Sequence, residues 1–169
     1  MFKRTLRGKV ILNLTQDERN LLVDLYRQMQ DLLESPQVPE NSDPLARLVG
    51  LEGPTESPSD PAVARLFPVA YLDDEIAAAD FRRYTEPDLR SEKLSNLGLV
   101  AQLLQSDTEK LELSEQQSNA WLRSLNDLRL VLGTRIGVGE NYREEENDDP
   151  GFHLYDYLTY LQGSLIDAL

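Results

Sequence analysis

Five charged side chains stand where a helical projection places apolar ones: Arg129, Arg90, Lys93, Asp80 and Glu18. Arg129 falls between Leu122 and Leu125 on an otherwise apolar face. Arg90 and Lys93 project among Leu89, Leu94 and Leu97. Asp80 projects beside Ile76 and Tyr84, and Glu18 falls on the apolar face of the first helix. A charge taken out of water without a partner is very costly, so such groups must find one another or a ligand. The expectation is one buried polar cluster at one end of a helical bundle. In structural terms it is a salt-bridge network that fixes helix register. In functional terms Arg90, Lys93 and Arg129 line a pocket for an anionic ligand or for a partner's carboxylate, which guanidinium and ammonium groups pair well.

The inventory for catalysis is thin. His153 is the only histidine and sits at a helix start, and the chain has no cysteine. There is no glycine-rich phosphate loop, no metal-ligand pair and no serine in an elbow motif. The acidic stretch Glu140 to Asp149 lacks the ligand spacing and the bidentate glutamate of a calcium-binding EF-hand. The chain is therefore expected not to be an enzyme and to need no cofactor or metal.

The sequence of 169 residues has 30 acidic and 17 basic side chains, a net charge of -13. So negative a surface repels nucleic acid and anionic membrane unless its cations are segregated. Lys3, Arg4, Arg7 and Lys9 are crowded near the N-terminus, and they are the candidate phosphate contacts. Lysine on a strand edge also serves to block edge-to-edge pairing, so DNA contact is possible but disfavoured by net charge. Without cysteine there are no disulfides, thiolate metal sites or thiol-based redox switches. That fits a reducing cytoplasm, the expected location. No apolar run approaches the ~20 residues that span a bilayer, and the N-terminus lacks the apolar core of a signal peptide.

These side chains must be positioned by helices, and the organising one is Ser114 to Ile136. Ser114 followed by Gln117 has the form of a capping box. Trp121, Leu122, Leu125, Leu128, Leu132 and Ile136 share a broad face, leaving a polar strip around Arg123, Asp127 and Thr134. A helix apolar on most sides is buried on most sides. Before it, Lys110 to Leu113 alternates as a short strand. Arg7 to Leu14 alternates in the same way and leads into a second capping box, Thr15 with Glu18, and a helix over 16–34. The two strands are expected to pair as a ribbon against the bundle.

The stretch 35–60 is rich in proline and reads as a mobile loop, with one short turn after Asp43-Pro44. Asp60-Pro61 opens another short turn. A helix over 73–84, a break at Thr85 to Asp88, and a helix to about Gln105 follow. That pair imitates a helix-turn-helix, but its second helix turns its cations inward and exposes Glu92. Gly137 and Gly139 end the central helix, an acidic loop covers 139–150, and the last helix runs over 151–169. On that helix Leu154, Leu158, Leu161 and Leu165 form one face. Phe152, Tyr155, Tyr160 and Ile166 lie elsewhere around it, as a candidate interface for a second copy or a protein partner.

Several runs together resemble a known family: Arg65-Leu66-Phe67-Pro68, Asp80-Phe81-Arg82-Arg83-Tyr84-Thr85 with Asp88-Leu89-Arg90, the run Trp121 to Arg135, and Tyr155 to Gln162. The family is actinobacterial, long catalogued only as a domain of unknown function and now often labelled as oxidative-stress transcriptional regulators. The resemblance covers nearly the whole chain outside the proline-rich loop. It implies an intracellular, non-catalytic regulatory protein. Members are often encoded beside the adaptor of a protein-degrading machine. Arg129, Asp127 and Arg135 match the family's central motif, which packing alone would also explain.

The sequence reads as a mainly α protein, 1–169 as one helical domain of about five helices with a two-stranded β ribbon. Its expected function is transcription-linked regulation through a protein partner. The alternatives are an adaptor of regulated proteolysis and a sensor of a small anionic ligand.

Overall fold

A computed structural model of the protein describes residues 1–6, 8–34, 53–106, 108–138 and 149–169. The expected turn after Asp43-Pro44, most of the proline-rich loop and nearly all of the acidic loop fall outside these residues.

The elements run β1 (Phe2–Arg4), β2 (Val10–Asn13), α1 (Gln16–Glu34), α2 (Pro61–Ala64), α3 (Glu75–Leu104), β3 (Lys110–Leu113), α4 (Glu115–Arg135) and α5 (Pro150–Ala168). The ribbon forms as expected: β2 pairs antiparallel with β3, with Leu12 opposite Leu111 and Val10 opposite Leu113. A third strand extends it. β1 folds back on β2 through a turn in which Gly8 takes φ +79, a left-handed conformation open to glycine. The strand order is β1-β2-β3.

Local chemistry sets the helix starts. Ser114 accepts from the Gln117 amide at 3.2 Å while the Gln117 side chain accepts from the Ser114 amide at 2.8 Å. Thr15 and Glu18 repeat the arrangement at α1. Asp60 caps α2 ahead of Pro61, and Asp149 caps α5 ahead of Pro150. Gly137, at φ +72, ends the central helix region.

The break expected at Thr85 to Asp88 is absent, and with it the helix-turn-helix. α3 is one helix of 30 residues with Pro87 inside it. Proline in a helix interior removes the hydrogen bond to the carbonyl four residues back, here Arg83, at a cost of about 3 kcal/mol. A side-chain brace spans the lesion. Glu86 takes Arg82 with one carboxylate oxygen and Arg90 with the other, at 2.9 and 2.6 Å, binding the turns on either side of Pro87. Gly53 lies against that same Arg83 carbonyl, so closely that a Cβ at position 53 would collide with it.

α3 packs on α1 and α4, α4 packs on α5, and β1 lies on α5. Strands and helices share one core. Its centre is Trp121, fully buried, with Phe2 and Tyr26 meeting its ring edge-on at 5.5 and 5.6 Å. The Tyr26 hydroxyl and Ser124 Oγ share a hydrogen bond of 2.7 Å beside it. Burial pushes the Tyr26 hydroxyl far above the ordinary tyrosine range. The expected polar strip of the central helix is partly overturned. Arg123 is exposed, but Asp127 is buried, because a cation from α3 meets it.

Candidate functional site

The inward-facing charges do not gather into one cluster. α3 carries most of them, but each finds a different neighbour. Arg90 Nη2 binds Glu86, its Nη1 donates to the Leu33 carbonyl at 3.0 Å, and its guanidinium lies 4.4 Å over the Phe67 ring. One turn further along α3, Lys93 Nζ donates to Asp127 at 2.8 Å. Burial pushes the Asp127 carboxyl up, and the Lys93 ammonium only partly offsets it. Arg129 turns the other way, into the seam between α4 and α5. There it donates to Thr159 at 3.0 Å, to Gln162, and to the Tyr155 hydroxyl at 3.3 Å.

The remaining two are separate again. Asp80 is exposed and lies 4.0 Å from Arg83 on the same helix. Glu18 works at the start of α1. Its burial favours the neutral acid, but hydrogen bonds from the Thr15 amide, the Thr15 hydroxyl and the Tyr157 hydroxyl outweigh that and hold the carboxyl below its usual range. The anion pocket expected from Arg90, Lys93 and Arg129 is therefore divided. Each of the three cations is already hydrogen-bonded to a group of the protein itself.

Two buried charges escaped the helical projection of the sequence. Arg82 is 6% exposed and Glu86 3%. Arg82 also reaches Ser57 Oγ at 2.8 Å and the Phe67 carbonyl at 3.3 Å. The spacing Arg82, Glu86, Arg90 was the available signal, since residues four apart share a helix face. Arg19 is a third. It donates to the carbonyls of Leu104, Ser106 and Thr108 at 2.7 to 3.0 Å, closing the C-terminus of α3. It continues the buried series Leu22, Tyr26, Met29 and Leu33 by one step, and that was its signal.

Of the N-terminal cations, Lys3 and Arg4 are exposed on the edge strand and Lys9 is paired with Glu112. Arg7 lies outside the described residues. Of the candidate interface on α5, Phe152 and Tyr155 are half-buried, and Tyr155 packs beside Gly133 and under Arg129. Tyr160 and Ile166 are exposed.

A larger group of uncovered apolar side chains lies around the first half of α3. Leu72 is 88% exposed, Ile76 78% and Tyr84 62%. Beside them the Tyr71 ring meets Phe81 edge-on at 6.0 Å. A cleft of about 140 Å³ opens between α3 and the turn after α2, with Phe67, Ala78, Phe81, Thr85 and Leu89 among its walls. Its polar floor, Arg82 and Glu86, is internally paired. No group of three potential metal ligands occurs among the described residues, and no described helix is long and apolar enough to cross a membrane.

A family described as a domain of unknown function, DUF2017, matches residues 1–169. The chain is 30% identical over 178 aligned positions to the "Oxidative stress regulator AosR" of Mycobacterium tuberculosis and of Mycobacterium bovis, which covers 93% of this chain and 80% of theirs. It is 29% identical over 167 positions to the "Putative oxidative stress regulator AosR" of Mycobacterium leprae, covering 88% of this chain and 77% of the relative. No solved structure matches it significantly. The chain belongs to the DUF2017 family.

Proposed function

We propose that this DUF2017 protein is a non-catalytic, intracellular regulator of the response to oxidative stress, linked to transcription and acting through a protein partner. The kinship with proteins named oxidative stress regulators supports the regulatory part. The partner part is carried by one observation: the apolar side chains Leu72, Ile76 and Tyr84 are left in water, while the buried charges of α3 are paired internally. Exposed apolar surface of this kind marks interaction sites. With no cysteine in the chain, the oxidant signal does not enter through a thiol of this protein. It reaches the regulator through its partner.

The test is the transcript profile of the host after a peroxide pulse, with the gene deleted and then restored. Deletion should change the profile, the native chain should restore it, and a chain with Leu72→Ser, Ile76→Ser and Tyr84→Ser should not. An unchanged profile on deletion, with protease subunits recovered by cross-linking, would replace this reading with that of a proteolysis adaptor.

A further inference from the structure

We infer that the cleft between α3 and the turn after α2, with the apolar rim beside it, receives a basic amphipathic segment of a partner protein. One apolar side chain of that segment sits between Phe81 and Leu89. This deepens the partner reading above and rests on it.

The size of the cleft selects the kind of ligand. At about 140 Å³ it is well below the ~300–1,000 Å³ typical of sites for small molecules. It suits a single large side chain, the form that an anchor takes at a protein interface. Its walls are apolar, and its few polar groups are occupied. The Thr85 hydroxyl donates to the Phe81 carbonyl at 2.7 Å, and Arg82 and Glu86 hold each other. Nothing in it would reward a polar head group. Phe81 and Leu89, eight residues apart, stand on one stripe of α3 at 45% and 37% exposure, so the opening is lined by a helix edge. A helix laid along such a groove anchors through residues three, four and seven apart.

Charge selects the partner's sign. Around the apolar rim stand Asp73, Asp74, Glu75, Asp80 and Asp88. Asp73, Glu75 and Asp88 form no ion pair with a described residue. Asp74 caps α3, and Asp80 has a long contact to Arg83. An acidic segment would be repelled here. A basic one finds unneutralised carboxylates around an apolar anchor, which sets its approach rate and orientation.

The test uses the full chain, isotopically labelled, with three synthetic probes. The first is a helical peptide of leucine and lysine with leucines on one face. The second is its scrambled isomer of equal charge. The third is the same pattern with glutamate for lysine. The first should bind and shift amide resonances concentrated within 67–92. Leu89→Ser should weaken it about tenfold. The triple change Asp73→Asn, Glu75→Gln and Asp88→Asn alters only surface carboxylates and should weaken it several-fold with the melting temperature unchanged. Equal binding of the scrambled peptide, or shifts spread over the whole acidic surface, would overturn the inference in favour of general charge attraction. Binding of the glutamate peptide would overturn the charge assignment. Concentration-dependent sedimentation of the native chain, abolished by Leu89→Ser, would give the cleft to a second copy instead. Failure in any of these ways leaves the peroxide response intact as a separate measurement, so the two readings fail independently.

Discussion

Lys93 Nζ and Asp127 Oδ1 lie 2.8 Å apart across the interface of α3 and α4, with 15% and 8% of their side chains exposed. The pair joins the central helix to the longest one. Removing one member of a buried pair strands the other charge, which costs more than the pair itself contributes. Lys93→Met should therefore lower unfolding free energy by about 3 kcal/mol. Adding Asp127→Leu should recover most of that loss, a difference that urea titration of the single and double variants resolves.

Glu86 holds two arginines on opposite sides of Pro87. Glu86→Ala leaves Arg82 and Arg90 facing each other in a buried site and unlocks the two turns beside the proline. A loss of about 3–5 kcal/mol is expected from the stranded charges. Hydrogen exchange should show faster opening in α3 near Pro87 than in its second half.

Glu18 and Asp127 should tilt stability with pH in opposite directions. The folded Glu18 carboxyl is held below its unfolded value, so the unfolded chain binds the proton first. Its contribution is complete above the ordinary glutamate range, roughly pH 4.3, and is lost as pH falls through the depressed value. Asp127 is raised by burial. Between the ordinary aspartate value, roughly 3.9, and its raised one, the folded state holds a proton the unfolded state has released. Stability from this group therefore falls as pH rises through that window. Glu18→Gln should flatten the acid limb of a stability curve, and Asp127→Asn should steepen the net rise just above the ordinary aspartate range.

Two glycines should respond in opposite senses to the same change. Gly163 lies within α5, exposed, and a Cβ there would stand in open space. Gly163→Ala should stabilise by up to about 1 kcal/mol, the helix propensity difference. Gly137 sits at φ +72, and Gly137→Ala should cost about 1 kcal/mol for forcing a Cβ into the left-handed region. Thermal melts of the two variants, run in parallel, check the signs.

Much of the fold was legible because helix starts are written locally. Ser114 with Gln117, Thr15 with Glu18 and Asp60 with Pro61 each satisfy amides within a few residues, and no distant partner is needed. The continuity of α3 was not legible. Pro87 reads as a stop, and the three-membered brace of Arg82, Glu86 and Arg90 that spans it is not visible in a local reading. The site was legible in part for a related reason. A helical projection shows that Arg129 and Lys93 face inward, but not which helix each one meets. Asp127 was read only as part of a polar strip because its partner, Lys93, comes from 34 positions away. The apolar rim of α3 was missed because Ile76 and Tyr84 read as core residues of a shorter helix.

Trp121 is the only tryptophan in the chain, and it touches the first strand through Phe2 and the first helix through Tyr26. The protein thus carries its own optical probe at a point where the first strand and the first helix both meet the central helix. Its emission should report detachment of residues 2–4 before the helices melt. A fluorescence trace that leads the far-ultraviolet circular dichroism on gentle heating would date that event, with no label added.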